Sequence, residues 1–255
     1  MLSKNQIKFI RSLHQSKFRE QHGLFLAEGP KVVEELLHSP FRISMVLALE
    51  SWLNANPLKN NPEIELIAVS EKELERISAL VTPNEVLAVV RMPEFTENEP
   101  LPEKELILVL DGMRDPGNLG TIVRTADWFG IPRVICSEDC VGIYNPKTVQ
   151  ATMGSIARVK VTYTDLEGLF SQLPAGIPVY GAMLDGEDMY NNELSARGYL
   201  LIGSESHGIS SHLHPYITNP VSIPAYRKGQ RSGPESLNAS IAAAILCAEF
   251  RRQSK

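Results

Sequence analysis

Three loops hold most of the residues whose types could do chemistry. They span residues 111–124, 203–210 and 224–238, and each is rich in Gly, Pro and polar side chains. Each loop follows a short run of Val, Ile and Leu that is typical of a buried strand. If those strands lie parallel in an open sheet, the loops meet beyond the carboxyl ends of the strands, where ligands bind. The three loops are therefore the candidate functional site.

Common signatures of nucleotide and metal sites are absent from these loops. No GxxxxGK[ST] stretch provides a phosphate cradle, and no GxGxxG follows the first strand to indicate a dinucleotide fold. The acidic residues lack the spacing of an EF-hand or a two-metal centre; they are Asp111, Asp115, Asp127 and Glu205. We therefore expect no metal.

The second loop has a superficial likeness to the nucleophile elbow of serine hydrolases. An elbow needs glycine two residues before the serine, but Ser204 occupies that position relative to Ser206. This mismatch disfavours a Ser/His hydrolase. A glycine turn that caps the next helix is the plain structural alternative for this loop.

The elements that position the three loops alternate between strand and helix. Short apolar runs predict strands at 106–110, 133–136, 159–163, 179–183, 199–202 and 221–223, most of them followed by helix-compatible segments. Runs that are apolar on both faces are what a parallel sheet covered by helices requires. Apolar residues at helical spacing predict a last helix over 236–252.

The first ninety residues form a separate alternating pattern. It predicts helices at 3–15, with Ser3 as the cap, at 30–38 and from Ser70, with Glu73 in capping-box position, and strands at 24–27, 43–49, 64–69 and 85–91. Over residues 93–105, proline and carboxylate residues interrupt any helix or strand periodicity. We predict a first domain at 1–93, a linker at 94–105 and a second domain at 106–255.

The charge of the chain is unevenly distributed. With 25 basic and 30 acidic residues among 255, the net charge is −5, which taken alone argues against a nucleic-acid partner. The first nineteen residues, however, contain no acidic side chain and five basic ones, which are Lys4, Lys8, Arg11, Lys17 and Arg19. A mitochondrial transit peptide could also begin this way, but the segment runs directly into strand-like sequence without a cleavage-site composition.

Composition excludes other classes of protein. The chain is 43% hydrophobic and 22% charged, which is close to the globular average, and its longest apolar run has eight residues. A membrane span needs about 18 or more, so we expect none. Cys136, Cys140 and Cys247 fit no zinc pattern and suggest buried or neutral thiols in a cytoplasmic protein.

Taken together, the loops resemble a known family. LDGMRDPGNLGTIVRTADWFGI at 110–131, LLIGSESHGIS at 200–210, and VSIPA followed by SLNASIAAAIL at 221–246 resemble, in order and spacing, the three signature motifs of the SpoU/TrmH RNA 2′-O-ribose methyltransferases. GLFLAEGPKVVEELL and VTPNEVLAVVRMP resemble the start and finish of the family's RNA-binding N-terminal domain. The resemblance covers essentially the whole chain.

The resemblance implies an α/β fold in two parts. Residues 106–255 would form a trefoil-knotted parallel sheet with helices on both faces, which binds S-adenosylmethionine and makes a homodimer. Residues 1–93 would form a small α/β/α ribosomal-protein-like domain that binds RNA. The implied reaction is methyl transfer to a ribose 2′-hydroxyl of structured ribosomal or transfer RNA.

The resemblance also assigns catalytic residues. Arg124 matches the family's catalytic arginine; because arginine stays protonated, we expect it to orient the hydroxyl and stabilise the developing alkoxide. Asn118 would tie Arg124 to the substrate side or order the loop, or it would only cap the helix that DPGN begins. Glu205 would hold Arg124 or neighbouring backbone donors. Ser236 and Asn238 match the third motif, where Ser236 could be a helix cap.

Binding residues follow from the same match. Cofactor contacts are expected near Gly203, Ile223 and Leu237, with a contribution from the loop at 181–186. The segment between Pro224 and Ser236 is longer than the family's usual turn and adds three cations, Arg227, Lys228 and Arg231. Cations beside the mouth of a site suit a phosphate backbone.

A second function remains open at this point. A catalytically silent RNA-binding protein of the same architecture, for instance a ribosome assembly factor, would have the same fold. The five candidate catalytic residues favour the enzyme because all are of types that the reaction would use. No short motif identifies the RNA, since RNA recognition is spread over a surface.

Overall fold

The computed structural model describes residues 1–56, 63–93, 105–226 and 235–254. The chain divides into two compact units, Met1–Asn98 with Gly142–Arg158, and Glu99–Val141 with Val159–Lys255. Of the predicted linker at 94–105, only Glu105 lies within the described residues.

The first unit is built on a four-stranded mixed sheet in the order β1-β4-β2-β3. Its strands are β1 (Leu24–Glu28), β2 (Ile43–Ala48), β3 (Glu65–Ala68) and β4 (Val86–Arg91), and its helices are α1 (Lys4–Ser12), α2 (Ser16–His22), α3 (Pro30–Leu37), α4 (Glu50–Ala55) and α5 (Glu71–Ile77). Strand β4 runs antiparallel to both β1 and β2, and β2 runs parallel to β3. Both predicted helix starts are confirmed, because Ser3 and Ser70 form capping boxes with Gln6 and Glu73.

Helices cover both faces of this sheet. Apolar residues of α1 and α5, such as Ile10 and Ile77, share a buried cluster with Leu26 and Leu87 of the sheet. On the other face of the sheet, α3 contacts β1 and β4. The ring of Phe25 in β1 lies 4.7 Å from that of Tyr144. The unit is therefore the α/β/α arrangement that the sequence predicted.

Helix α1 ends slightly short of the predicted range 3–15, and a second helix that the sequence did not predict, α2, follows it. Helix α1 ends at its C-cap Leu13, and α2 begins after Gln15. The guanidinium of Arg19 donates to the carbonyl oxygens of Leu13 at 3.2 Å and His14 at 2.8 Å. A cation that satisfies the free carbonyls at a helix end stabilises that end.

One segment of the second half of the chain packs in the first unit. Helix α7 (Pro146–Thr152) and a short 3-10 helix, η1 (Ser155–Ala157), belong to residues 142–158 and contact β1 and α3. A carboxylate oxygen of Glu35 in α3 accepts a hydrogen bond from Arg158. The sequence-based division at 94–105 does not anticipate this packing.

The second unit contains a six-stranded sheet in the order β10-β8-β9-β5-β6-β7. Every pairing in it is parallel. The strands are β5 (Leu106–Leu110), β6 (Arg133–Cys136), β7 (Lys160–Tyr163), β8 (Val179–Asp188), β9 (Gly198–Ile202) and β10 (Asn219–Ser222). The predicted parallel sheet is confirmed, with β5 and β6 at the predicted residues.

Helices lie on both faces of the parallel sheet, as predicted. They are α6 (Pro116–Trp128), α8 (Leu166–Ser171), α9 (Ala239–Gln253) and the 3-10 helix η2 (Ser211–Tyr216). Ile107 and Val109 of β5 share a cluster with Phe170 of α8 and Leu213 of η2. All five residues of β5 are buried, so the alternate positions that face the other side are covered as well.

Strand β8 is longer than predicted and contains the expected loop at 181–186. Its pairing with β10 jumps from Gly181 to Glu187, so residues 182–186 have no paired residue in β10. The trefoil knot stays a prediction. Among the described residues, no helix is both long enough and apolar enough to cross a membrane.

Candidate active site

The three predicted loops all follow strands of the parallel sheet. Residues 111–115 connect β5 to α6, residues 203–210 connect β9 to η2, and the chain after β10 leads to α9. Strands β5 and β9 are neighbours, with Leu110 opposite Ile202 at their carboxyl ends. The sheet therefore brings the first two loops together, in the crevice where open parallel sheets bind ligands.

A carboxylate joins the three loops. Oε1 of Glu205 accepts hydrogen bonds from Nδ2 of Asn118 at 2.8 Å and from Nδ2 of Asn238 at 2.5 Å. The backbone N–H of Ala239 donates to the same oxygen at 3.1 Å. Nδ2 of Asn238 also lies 2.9 Å from Oδ1 of Asn118. Hydrogen bonds to an ionised acceptor are the strong ones, so this Asn118–Glu205–Asn238 cluster fixes the loops relative to one another.

Asn118 is not the cap of its helix. The N-cap of α6 is Asp115, whose Oδ1 accepts from the backbone N–H of Asn118 at 2.7 Å, and Pro116 begins the helix. The alternative that Asn118 only caps α6 is therefore wrong. Because Asp115 performs that role, the side-chain amide of Asn118 is available to Glu205 and Asn238.

The cap of α9 is Asn238 and not Ser236. Oδ1 of Asn238 accepts from the backbone N–H groups of Ser240 at 3.0 Å and Ile241 at 3.3 Å. Ser236 is exposed and lies two residues before the cap. Asn238 thus uses its oxygen to start the helix and its nitrogen to bind the cluster, which leaves the Ser236 hydroxyl outside the capping arrangement.

Arg124 lies on the exposed side of α6, six residues beyond Asn118 and about 9 Å further along the helix axis. It forms no hydrogen bond or ion pair with the part of the chain that the structure describes. Of the two predicted partners of Glu205, Arg124 or backbone donors, the structure shows the second: Glu205 accepts from the Ala239 N–H and from the two asparagines, and not from Arg124. Arg124 remains a cation available to a ligand.

The three predicted cofactor residues follow β9 and β10 and precede α9. Gly203 is buried, Ile223 is half-buried, and Leu237 is 44% exposed. A Cβ on Gly203 would lie 2.1 Å from the carbonyl oxygen of Gly208. The glycine is therefore required by the close packing of its own loop, in addition to any ligand that approaches it.

The loop after β6 supports the loop after β5, which sequence reasoning missed. The hydroxyl of Ser137 accepts from the N–H of Gly112 at 2.9 Å, and Sγ of Cys140 accepts from the N–H of Met113 at 3.1 Å. Oδ2 of Asp139 lies 3.1 Å from a guanidinium nitrogen of Arg114. Each contact joins residues about 25 apart in the chain, and short-range patterns carry no signal for such pairs.

The three thiols differ, although the sequence suggested that all are buried or neutral. Hydrogen bonding from the Cys136 thiol, with further bonds from Ser137 and the Met113 N–H, lowers the pKa of Cys140 to about 7 in spite of its burial. The pKa of Cys136 is raised well above its ordinary value by its bond to Cys140 and by burial. Burial raises the pKa of Cys247 to about 12. All three thiols are buried, as predicted, and Cys140 differs from the other two in that its pKa is lowered.

The predicted basic residues of the first unit divide into two groups. Lys4, Lys8 and Arg11 of α1 and Lys17 of α2 are exposed. Arg19 is only 5% exposed, and burial lowers the pKa of its guanidinium. Arg19 is therefore a structural residue between α1 and α2, contrary to the prediction that it contacts RNA. Arg227, Lys228 and Arg231 lie outside the described residues.

The hydrolase chemistry that the sequence disfavoured gains no support from the geometry. The hydroxyl of Ser206 lies 2.7 Å from Nδ1 of His207, its neighbour in the chain, and both residues are exposed. Ser204 and Gly208 bond each other through their backbones, so the loop is a closed turn followed by a 3-10 helix and not an elbow before an α-helix. Within the described ranges, no three His, Cys, Asp or Glu side chains are grouped as metal ligands would be.

Comparison with known proteins agrees with the arrangement of the loops. The SpoU rRNA Methylase family matches residues 105–248, and the MRM3-like substrate binding domain matches residues 4–88. The Bacillus subtilis 23S rRNA (guanosine(2553)-2′-O)-methyltransferase RlmP is 32% identical over 98% of this chain and 97% of its own length.

Solved structures resemble both units. A TrmH-family protein from Porphyromonas gingivalis is 41% identical, covers 100% of both chains and has a TM-score of 0.84. The SpoU methyltransferase AviRb from Streptomyces viridochromogenes, solved with AdoMet, is 26% identical over 98% of each chain, with a TM-score of 0.83. The family match spans the sheet and all three loops that the Glu205 cluster joins, and on this evidence the chain belongs to the SpoU rRNA methylase family.

Proposed function

We propose that this protein transfers a methyl group from S-adenosylmethionine to a ribose 2′-hydroxyl of RNA. The observation that carries the proposal is the Asn118–Glu205–Asn238 cluster, which joins three loops at the ligand-binding end of the parallel sheet. Two relatives support it, since the Bacillus subtilis and Streptomyces viridochromogenes proteins are named as 23S rRNA 2′-O-methyltransferases.

The described residues fit the cofactor. An adenosyl group needs apolar surface together with backbone polar atoms; Ile223 and Leu237 offer partly exposed apolar side chains, and the turn that begins at Gly203 offers backbone groups. These three residues would hold the adenosyl group. When bound, S-adenosylmethionine supplies a methyl group activated by its sulfonium.

Arg124 is the residue that would act on the hydroxyl. A guanidinium stays protonated in proteins, so Arg124 orients the 2′-hydroxyl and stabilises the negative charge that develops on its oxygen. The proton leaves to a phosphate oxygen of the RNA or to solvent. The exposed position of Arg124 on α6 and its lack of described partners suit this role, because no internal ion pair must break when RNA binds.

Asn118, Glu205 and Asn238 would position the reacting groups. Glu205 fixes Asn118, and the helix that carries Asn118 also carries Arg124. Holding reactants within a few tenths of an ångström of the productive geometry supplies a large share of the rate of a displacement reaction. Ser236, which is exposed two residues before Asn238, would contact the ribose.

The first unit would bind the RNA. Residues 4–88 match a substrate binding domain, and Lys4, Lys8, Arg11 and Lys17 present exposed cations on α1 and α2. Exposed cations of this kind bind phosphate groups of the RNA backbone and do not depend on the base sequence. Arg227, Lys228 and Arg231 would add phosphate contacts, and rRNA is favoured over tRNA by the names of the relatives.

A homodimer through the second unit is part of the proposal. Trp128 of α6 is 85% exposed and Ile241 of α9 is 52% exposed, and these two helices pack against each other. Exposed apolar side chains on neighbouring helices are typical of an interface between protein chains. A cytoplasmic location also stays a prediction, in keeping with three free cysteines.

The test of the proposed function is a methyl-transfer assay. The protein is incubated with methyl-labelled S-adenosylmethionine and total RNA, and the RNA is digested to nucleosides. Label on a ribose 2′-oxygen supports the proposal. RNA that binds but carries no label would favour the non-catalytic assembly factor of the same architecture.

A further inference from the structure

Asp111 holds both ends of the loop that carries Glu205. It follows the last residue of β5, and its side chain is buried, with the residue only 5% exposed. Its backbone N–H donates to the carbonyl oxygen of Ile202 at 3.0 Å, where the loop begins. Its carboxylate Oδ2 accepts from the backbone N–H of Ser210 at 2.7 Å, where the loop ends.

The loop between these two points is closed on itself. The backbone N–H of Ser204 donates to the carbonyl of Gly208 at 3.1 Å, and the N–H of Gly208 donates back at 2.9 Å. Glu205 lies at the tip of this turn. Because the turn is closed and Asp111 fixes both of its ends, the position of Glu205 depends on Asp111.

Asp111 also begins the loop that leads to α6. The next two residues, Gly112 and Met113, are held by Ser137 and Cys140, and Asp115 then caps α6. Asp111 is thus the point at which the Glu205 loop is attached to the segment that carries Asn118 and Arg124.

We propose that Asp111 is a positioning residue for methyl transfer: its carboxylate holds the backbone of Ser210, so that Glu205 reaches Asn118 and Asn238. This role rests on the proposed function. A buried N–H that loses its acceptor is costly, so without the carboxylate the loop must move until Ser210 finds another partner. Any side chain of the same length that carries an acceptor oxygen should serve at position 111. This distinguishes a geometric role from a need for negative charge.

Two variants remove the same hydrogen bond from opposite sides. Asp111→Ala removes the acceptor, and Ser210→Pro removes the donor at a residue whose φ of −59° suits proline. Asp111→Asn keeps an acceptor oxygen. Asp165→Ala is the matched control, because Asp165 also accepts from backbone N–H groups, at the start of α8, but forms no hydrogen bond with the described residues of the three loops.

The kinetic readouts are kcat, KM for S-adenosylmethionine and the melting temperature. We expect Asp111→Ala and Ser210→Pro each to lower kcat by about 10- to 100-fold, because small displacements of positioned groups cost that much. The double variant should be no slower than the slower single variant, since both remove one interaction. Asp111→Asn should recover kcat to within a few-fold of wild type. Asp165→Ala should lower the melting temperature and leave kcat unchanged.

Amide hydrogen exchange provides a readout that does not need activity. Peptides covering 203–210 should exchange faster in Asp111→Ala and Ser210→Pro than in the wild type. Faster exchange in both variants, found together with a wild-type protein that transfers no methyl group, would support the loop contact and overturn the proposed function alone. Unchanged exchange, an unchanged kcat, or an Asp111→Asn variant that folds but is as slow as Asp111→Ala would overturn the positioning role. If Asp111→Ala does not fold, Ser210→Pro and Asp111→Asn decide by the same criteria.

Discussion

Nδ2 of Asn118 lies 2.8 Å from Oε1 of Glu205, although 87 residues separate them in the chain. The bond joins the first turn of α6 to the loop after β9, and Asn238 at the start of α9 donates to the same oxygen. One carboxylate oxygen thus accepts hydrogen bonds from residues at the beginning of two helices, α6 and α9. These hydrogen bonds hold the three loops of the site together. They also fix the start of α6, the helix that carries the exposed guanidinium of Arg124.

Replacing Glu205 with Gln tests the cluster. Glutamine keeps one acceptor oxygen but loses the charge that strengthens the bonds to Asn118, Asn238 and the Ala239 N–H. We expect kcat to fall by about 10- to 100-fold, since charge-assisted bonds are roughly twice as strong as neutral ones. Steady-state kinetics at saturating cofactor measure this. Glu138→Gln, at an exposed carboxylate after β6, is the control, and equal rates for the two variants would contradict the role of the cluster.

Replacing Arg124 with Ala tests the cation. The side chain is exposed and has no described partner, so the melting temperature should stay at the wild-type value. The rate constant kcat should fall by about 100- to 1,000-fold, the cost typical of losing a donor that stabilises developing negative charge. Single-turnover assays and a thermal melt check both parts. Arg197→Ala, at another exposed arginine of the same unit, should change neither.

The salt dependence of RNA binding tests the exposed cations of α1. Replacing Lys4, Lys8 and Arg11 together with Ala should flatten the slope of log K against log salt by about two units, since each phosphate contact contributes roughly 0.7 to 0.9. Filter binding at several salt concentrations measures the slope. Cofactor affinity should not change.

Arg19→Ala is the contrasting variant for that experiment. It removes the hydrogen bonds to Leu13 and His14 from a buried cation, so the melting temperature should fall while the salt slope stays at the wild-type value. A salt slope that falls with Arg19→Ala but not with the triple variant would reverse the assignment of these residues.

Sedimentation equilibrium tests the homodimer. Ile241→Asp places a charge on the exposed apolar side of α9 and should convert a dimer to a monomer, because burying an unpaired carboxylate in an interface is strongly unfavourable. Val81→Asp, at an equally apolar and fully exposed residue of the first unit, should leave the dimer intact. A monomeric wild-type protein would remove the dimer from the proposal.

Thiol labelling across pH tests the environment of Cys140. The lowered pKa of Cys140, about 7, means that its thiolate fraction rises through neutral pH, whereas the raised pKa values of Cys136 and Cys247 keep both as thiols. The thiolate is the reactive form. Mass spectrometry after brief alkylation should therefore find Cys140 labelled first, with a rate that rises between about pH 6 and pH 8. Preferential labelling of Cys247 would contradict this.

The elements and the three loops could be predicted because their signals are local. Strand β6 (Arg133–Cys136) and the capping boxes of Ser3 and Ser70 follow from periodicity and cap chemistry within a few residues. The family resemblance then indicated which loops meet. It also selected Asn118, Glu205 and Asn238, which the structure brings together.

The features that were missed depend on contacts between distant residues. Arg19 looked like an RNA contact because its charge is visible in the sequence, while its two carbonyl partners at a helix end are not. The packing of 142–158 in the first unit and the support of Met113 by Cys140 are tertiary contacts of the same kind. Local patterns left open that Asn118 and Ser236 are caps, whereas the N-caps are Asp115 and Asn238.

The most direct test of the proposed function is the position of the transferred methyl group. Wild-type protein and Arg124→Ala are each incubated with methyl-labelled S-adenosylmethionine and ribosomal RNA, and the RNA is digested to nucleosides for mass spectrometry. The wild type should yield a nucleoside labelled on its ribose 2′-oxygen, and Arg124→Ala should yield at most about a hundredth as much in the same time. Label on a base, or equal ribose labelling by the two proteins, would contradict the chemistry assigned to this site.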